Sequence, residues 1–172
     1  MQKKDLPNHE AVLEITREFD APRELVFQAC ADGKALAEWW GPIGYTTIVL
    51  KLDFQSGGVF HYKMVSPERT MYGRLVYGRI LKPALIEFTL SFSDEHGGIT
   101  RAPFFDPWPL EIFNVLTLSE NGPKTTLVFK SYPVNADEAE IASFKSNKNS
   151  FRQGLTSSFN RLGLILKHET GA

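Results

Sequence analysis

Four polar side chains stand among apolar residues on predicted strands, and they are the groups best placed to do chemistry. Arg17, Tyr62, Tyr77 and Asn114 each share a strand face with apolar neighbours. A buried polar group without a partner costs roughly 1–3 kcal/mol, so each needs a neighbouring side chain, a water or a ligand. Two interpretations stay open: the four groups satisfy one another or reach the rim of the sheet, or they bind a ligand. For Arg17, pairing with Glu111 or another carboxylate is one option.

The residue types most often used in catalysis and metal binding form no pattern. No two His or Cys residues have metal-ligand spacing, and the GxSxG, Walker and GxGxxG motifs do not occur. His61 falls on the strand face opposite the apolar one, which favours a place on the sheet surface. Cys30 lies on the apolar stripe of a predicted helix, as a small core residue would. The sequence therefore predicts no catalytic residue, no metal site and no cofactor.

Composition limits the class of protein. The 172 residues are 42% hydrophobic, which excludes a disordered chain, and the net charge of −1 with no basic stripe argues against a nucleic-acid partner. A single cysteine fits a reducing compartment. The N-terminal sequence has no apolar run after its lysines, and no segment reaches the ~18 apolar residues of a membrane span. We expect one cytoplasmic domain over 1–172, monomeric or homodimeric, with residues 1–10 as a flexible tail and no membrane contact.

Alternating apolar and polar residues predict seven strands. The first is AVLEITREFD, and six more follow between residues 45 and 132. In TTIVLKLDF the alternation puts Ile48, Leu50, Leu52 and Phe54 on one face. Short connections predict antiparallel neighbours, interrupted only by a long loop rich in glycine, proline and aromatic residues.

Two short helices are predicted after the first strand. Pro22 suits the first turn of DAPRELVFQACAD, and Asp32 can cap GKALAEWW. The second helix ends in two adjacent tryptophans before a Gly-Pro turn. A tryptophan buries a large area while its N–H finds a partner. We therefore expect one of Trp39 and Trp40 to pack as a structural plug and the other to face a pocket.

The hydrophobic period changes to that of a helix near the C-terminus. Asn135 can cap a first segment, ADEAEIASF, and a long helix is predicted over about 149–167. Gly154 and Gly163 interrupt this helix, and small residues there allow close approach of the sheet. Its single apolar stripe consists of Phe151, Leu155, Phe159, Leu162 and Leu166.

Together these elements predict an α+β fold in which a curled antiparallel sheet surrounds the long C-terminal helix. A twisted sheet of this size curls, and one helix rarely fills its concave face, so a cavity is expected between helix, sheet and the two short helices. Such cavities typically measure ~300–1,000 Å³ and are mostly apolar. The loop 104–108 should lie near the mouth. The predicted ligand-binding residues are Trp40, Tyr62, Tyr77, Asn114, Phe151 and Leu155.

Four stretches carry a resemblance to a known family: FDAPRELVFQACADGKALAEWWGP, DFQSGGVFHY, GRLVYGRILKPALIEFT and GLTSSFNRL. They resemble the proteins related to the activator of heat-shock-protein-90 ATPase, within the START-like (SRPBCC) superfamily, over nearly the whole chain. This superfamily includes polyketide cyclases and allergen-like proteins. The resemblance implies the helix-grip fold and places the tryptophan pair at the mouth of its cavity.

Three functions remain open after this comparison. The leading hypothesis is a protein that binds an apolar or aromatic small molecule in the cavity. The second is an enzyme of cyclase or hydrolase-like chemistry that uses tyrosine and arginine groups to polarise a bound carbonyl, for which the sequence offers no titrating pair. The third, implied by the resemblance alone, is a domain that stimulates a chaperone ATPase.

Overall fold

One antiparallel sheet of seven strands forms in a computed structural model that describes residues 11–170. The predicted tail, residues 1–10, lies outside the described residues. The strand order is β1-β7-β6-β5-β4-β3-β2, so that successive strands from β2 to β7 are neighbours and β1 joins the edge at β7. The strands are β1 (Leu13–Phe19), β2 (Thr46–Leu52), β3 (Val59–Val65), β4 (Thr70–Leu81), β5 (Leu85–Ser93), β6 (Glu111–Asn121) and β7 (Lys124–Val134).

Both short helices are confirmed between β1 and β2. They are α1 (Arg23–Ala31) and α2 (Gly33–Trp39). The Asp32 side chain accepts a hydrogen bond from the Ala35 backbone N–H at 3.0 Å, which is the predicted cap of α2. No helix within residues 11–170 combines the length and the apolar character needed to cross a membrane.

The C-terminal helix is a single element, α3 (Glu138–Thr170), and begins earlier than the segment 149–167. Its first turn is closed by a reciprocal capping pair: Asp137 Oδ1 accepts from the Glu140 N–H at 2.8 Å, and Glu140 Oε1 accepts from the Asp137 N–H at 3.2 Å. The prediction of Asn135 as the cap is wrong, because that residue has a φ of 51° and lies before the capping pair.

The apolar stripe of α3 packs into the hollow of the curled sheet, as predicted. Leu155, Phe159, Leu162 and Leu166 are buried, and Phe151 is half-buried. Phe159 stacks on Trp39 with 6.1 Å between ring centroids and meets Phe129 of β7 edge-on at 5.5 Å. The helix is thereby fixed to both α2 and the sheet.

The strand β2 differs from its predicted pattern. Ile48 and Leu50 are 41% and 44% exposed, whereas Thr47 is buried and Val49 is half-buried. Because β2 is an edge strand, and its pairing with β3 shifts register between Val49 and Lys51, alternation there does not identify the inner face.

Candidate functional site

A cavity of about 430 Å³ lies between α3, the sheet and two loops. The sheet contributes Tyr62, Met64, Met71, Leu90 and Ile112 from β3 to β6. The remaining walls come from the turn after α2, from the loop before β6 and from the middle of α3. The cavity therefore occupies the space that one helix leaves unfilled in a curled sheet.

The two adjacent tryptophans have different positions: one is buried in the core and the other lines the cavity. Trp39 is 2% exposed, and its indole N–H donates to the Ala29 backbone oxygen at 2.9 Å, which ties α2 to α1. Trp40 lines the cavity and meets Tyr62 and Phe88 edge-on, each with centroids 6.1 Å apart. Trp39 is thus a core residue, and Trp40 forms a wall.

The Gly-Pro turn after Trp40 is attached to α3 by hydrogen bonds. The Gly41 N–H donates to Ser158 Oγ at 3.2 Å, and the Ile43 N–H donates to Ser157 Oγ at 2.8 Å. The Gly41 oxygen accepts from Arg161 Nη1 at 3.1 Å. Gly41 has a φ of +114°, and a Cβ there would lie 2.7 Å from Thr47 Oγ1, so the position requires glycine.

The long loop before β6 supplies an aromatic wall. Phe104 and Phe105 lie 4.9 Å apart, and Phe105 lies 5.3 Å from Trp108. Trp108 is 4% exposed and contacts Phe151 of α3 edge-on at 5.7 Å. Arg101 joins this loop to the start of α3, since its Nη1 donates to the Trp108 oxygen at 3.3 Å and to the Glu140 carboxylate at 2.9 Å. The loop therefore lies at the cavity, where the sequence predicted it.

The Tyr62 side chain lies over a glycine of the neighbouring strand. It is 3% exposed and pairs across β3 and β4 with Gly73, where a Cβ would lie 2.4 Å from the Tyr62 hydroxyl. Burial raises the pKa of Tyr62 to about 12, and the adjacent Trp40 indole offsets only part of that effect. The phenol is therefore neutral at physiological pH and can donate or accept a hydrogen bond.

Asn114 lies beyond the lining of the cavity. It follows Ile112 on the inward face of β6 and is fully buried. Its Nδ2 donates to the Ile112 oxygen at 2.9 Å and to the Phe88 oxygen at 3.4 Å, whereas its Oδ1 has no partner among the described residues. Directly opposite on β7, the hydroxyl of Ser131 is also fully buried and without a partner there.

Tyr77 also lies outside the lining. It packs edge-on against Phe54 at 5.0 Å, and burial is the main cause that raises its pKa above the ordinary range. Burial likewise raises the pKa of the Cys30 thiol to about 12, so that this core cysteine is neutral. His61 is 8% exposed, and its Nε2 lies 3.2 Å from the Asp94 backbone oxygen.

The partner suggested for Arg17 was wrong. Its guanidinium donates to Asn160 Oδ1 of α3 and lies 5.7 Å from the centre of the Phe19 ring. Register explains the difference: Arg17 is opposite Leu127 of β7, far along the sheet from Glu111 at the start of β6.

Of the six predicted ligand-binding residues, the structure brings four together around the cavity: Trp40, Tyr62, Phe151 and Leu155. Sequence reasoning missed Met71, Gly154 and the serines of α3. Gly154 does not allow close approach of the sheet as predicted, because a Cβ there would meet nothing within 4 Å, whereas one at Gly163 would lie 3.7 Å from Phe19. A glycine inside a predicted helix was the available signal for this position.

The lining suits binding by burial of apolar surface. Seven aromatic side chains and two methionines border the space, and the polar side-chain groups are hydroxyls, two indole N–H groups and one amide. Among residues 11–170 no group of three or more His, Cys, Asp or Glu side chains is placed to hold a metal ion.

The sequence matches the model of a known protein family. A family model described as "Activator of Hsp90 ATPase homolog 1-like protein" matches residues 20–167. A search of curated proteins gave no significant match.

Several solved structures match the fold of this protein over nearly the whole chain. A protein from Arthrobacter aurescens, solved by NMR, is 22% identical with a TM-score of 0.78, over 95% of this chain and 90% of that one. Protein Ms6760 from Mycobacterium smegmatis is 24% identical with a TM-score of 0.75, over 91% of each chain. The AHSA1 protein from Silicibacter pomeroyi is 23% identical with a TM-score of 0.70, over 92% of this chain and 99% of that one. At these identities the structures establish the fold alone. The family model covers most of the chain, which therefore belongs to the family of activator of Hsp90 ATPase homolog 1-like proteins.

Proposed function

We propose that this protein binds an apolar or aromatic small molecule in the cavity between α3 and the sheet. The observation that carries the proposal is the cavity itself, which at about 430 Å³ falls within the size range of small-molecule sites. The space is partly open at its mouth, so a small molecule can enter it from solvent.

Apolar burial would supply most of the affinity. Transfer of apolar surface from water is worth about 25 cal/mol per Å², so a ligand that buries roughly 200 Å² gains on the order of 5 kcal/mol before the costs of association. Trp40, Phe151 and Leu155 offer such surface, and the Tyr62 hydroxyl offers one hydrogen bond. We propose these four residues as ligand contacts, without Tyr77 and Asn114.

The chemistry of the lining favours binding over acid–base catalysis. A general acid or base works best with a pKa near the working pH. Tyr62 is the titratable group among the lining residues, and burial raises its pKa to about 12. The cyclase or hydrolase-like alternative therefore gains no support from this cavity.

A thermal-shift screen with neutral aromatic and aliphatic compounds tests the proposal. A ligand at one hundred times its Kd adds about 2.7 kcal/mol to stability. For a chain of this length that raises Tm by roughly 5–10 °C.

The blocking variant is Gly154→Leu, whose side chain is added at a lining position with open space around it. Thr156→Leu is the matched variant, on a helix position outside the lining. We expect the shift to persist in the wild type and in Thr156→Leu and to vanish in Gly154→Leu. Absence of a shift across a broad library, or an equal shift in all three proteins, would contradict the proposal.

A further inference from the structure

The cavity wall carries no formal charge. The lining residues, all of which lie in the described part of the chain, include no Asp, Glu, Lys, Arg or His. For a mouth that opens among loops this is unusual, because 23% of the residues in the chain are charged. An ionic ligand would find no counter-charge among the groups that line the space.

Three arginines next to lining residues donate to protein oxygens. Arg161 donates to the Gly41 oxygen at 3.1 Å, and Arg101 donates to the Glu140 carboxylate at 2.9 Å. Arg152, on the helix that forms one wall, donates to the Glu14 oxygen at 2.6 Å. None of these three arginines is a lining residue, and Arg152 and Arg161 instead border a neighbouring groove that shares Ile43, Gln153 and Ser157 with the cavity.

Helix dipoles provide no site for an anion either. The lining residues of α3, from Ser150 to Ser158, lie about three turns from each end of the helix, and the dipole effect is confined to the terminal turns. The end of α2 that reaches the cavity, at Trp40, is its carboxyl end, where the partial charge is negative. Neither α3 nor the end of α2 that reaches the cavity therefore offers a helix N-terminus to an anion.

Hydrogen-bonding groups of the wall are neutral, and several are already used. Ser157 and Ser158 accept from the backbone of the turn after α2, and Ser158 also donates to the Gly154 oxygen at 3.2 Å. Tyr62 at the sheet and Gln153 at the outer surface of α3 keep polar atoms that a neutral ligand can meet.

We propose that the cavity selects ligands by charge: it binds uncharged apolar or aromatic molecules and rejects their carboxylate and ammonium analogues. An ion that enters loses its hydration and gains no partner, which costs far more than burying a neutral group of the same shape. This inference rests on the proposed binding function and narrows its ligand class.

Calorimetric titration with three molecules that share one ring system tests the selection. The probes are 2-naphthalenemethanol, 2-naphthoate and 2-naphthylmethylammonium, titrated into the wild-type protein at pH 7.5. We expect the alcohol to bind at least about tenfold more tightly than either ion, a difference of about 1.4 kcal/mol. An ion that binds within about threefold of the alcohol would overturn the charge selection. If none of the three binds, and a wider neutral library also fails, the binding function itself is wrong.

Titration at falling pH provides a second measurement on the same protein. As the pH approaches the pKa of naphthoic acid, its neutral fraction increases, and we expect its apparent affinity to rise towards that of the alcohol. The alcohol, which does not titrate in this range, reports any change in the protein. An apparent affinity of naphthoate that stays constant relative to the alcohol would overturn the proposal.

A gain of function is expected when a cation is placed in the wall. Met71 is 7% exposed and lines the cavity, and lysine has a similarly long, unbranched side chain. Folded Met71→Lys should bind naphthoate at least about tenfold more tightly than the wild type does. The control Met71→Leu should keep the preference for the alcohol. If folded Met71→Lys binds naphthoate no more tightly than the wild type does, the charge argument is contradicted. If that variant does not fold, the wild-type titrations with the three probes decide whether the cavity selects by charge.

Discussion

The hydroxyl of Tyr62 lies directly over Gly73 on the adjacent strand. A Cβ at position 73 would come within 2.4 Å of that oxygen and 2.5 Å of the ring carbon that bears it. Glycine at this position therefore provides the space for Tyr62, which among the described residues is the one tyrosine that lines the cavity.

Gly73→Ala should destabilise the protein by about 1–3 kcal/mol, because the added methyl group overpacks against Tyr62. Gly78→Ala is the matched control on the same strand, where the nearest atom would be 3.5 Å from the new Cβ. Urea denaturation of both variants measures the difference. The cost of Gly73→Ala should shrink in a Tyr62→Leu background, and strictly additive costs would show that Tyr62 is not the obstacle.

Two buried hydroxyls on β7 should respond differently to removal. The Thr125 hydroxyl donates to the Ala21 oxygen at 2.7 Å, whereas the Ser131 hydroxyl has no partner among the described residues, and both residues are fully buried. Thr125→Val should cost about 1–3 kcal/mol, because it leaves a buried carbonyl unpaired. Ser131→Ala should change stability by less than about 0.5 kcal/mol or increase it. Equal losses in denaturant unfolding would contradict this assignment.

Phe159 fixes α3 to the rest of the fold, since it is 1% exposed and contacts both Trp39 and Phe129. Phe159→Ala should therefore lower the free energy of unfolding by ~3–5 kcal/mol. Phe104→Ala serves as the control, because Phe104 is 38% exposed in the loop, and its loss should be much smaller. Similar melting temperatures for Phe159→Ala and the wild type would refute the packing of this helix face.

Stability should fall at alkaline pH in part through Tyr62. Burial raises its pKa from 10.0 to about 12, so the folded state holds the proton more tightly than the unfolded state does. This contribution is complete below about pH 10 and is lost as the pH rises towards 12. Tyr62→Phe should therefore show a shallower decline of stability between these pH values. An unchanged slope would mean that Tyr62 ionises as easily in the folded state as in the unfolded one.

The sequence predicted those elements whose pattern depends only on residues a few positions apart in the chain. The spacing of Leu155, Phe159 and Leu162 determines one face of a helix whatever the helix packs against, and Asp32 caps α2 through a contact three residues away. The edge strand β2 was misjudged because its bulge, and the absence of a second neighbouring strand, depend on the whole sheet.

The candidate site was only partly predictable for a related reason. Alternation correctly gave the inward faces that carry Tyr62 and Asn114, but it contains no information about distance along the strand from the cavity. Asn114 is one inward position too far along β6, and the partner of Arg17 depends on the register between β1 and β7 and on the placement of α3. Such long-range relationships require the folded chain.

The most direct measurement of ligand binding in the cavity uses methionine methyl groups as reporters. Met64 and Met71 are adjacent across β3 and β4, and both line the cavity. In protein labelled with ¹³C-methyl methionine, their signals can be assigned with Met64→Leu and Met71→Leu. Titration with 2-naphthalenemethanol should shift both signals, through the ring current of the ligand, along one saturable curve. Gly154→Leu, which adds a side chain to the same cavity, should abolish these shifts. Saturable binding that leaves both methyl signals in place, or shifts that persist unchanged in Gly154→Leu, would contradict binding in this cavity.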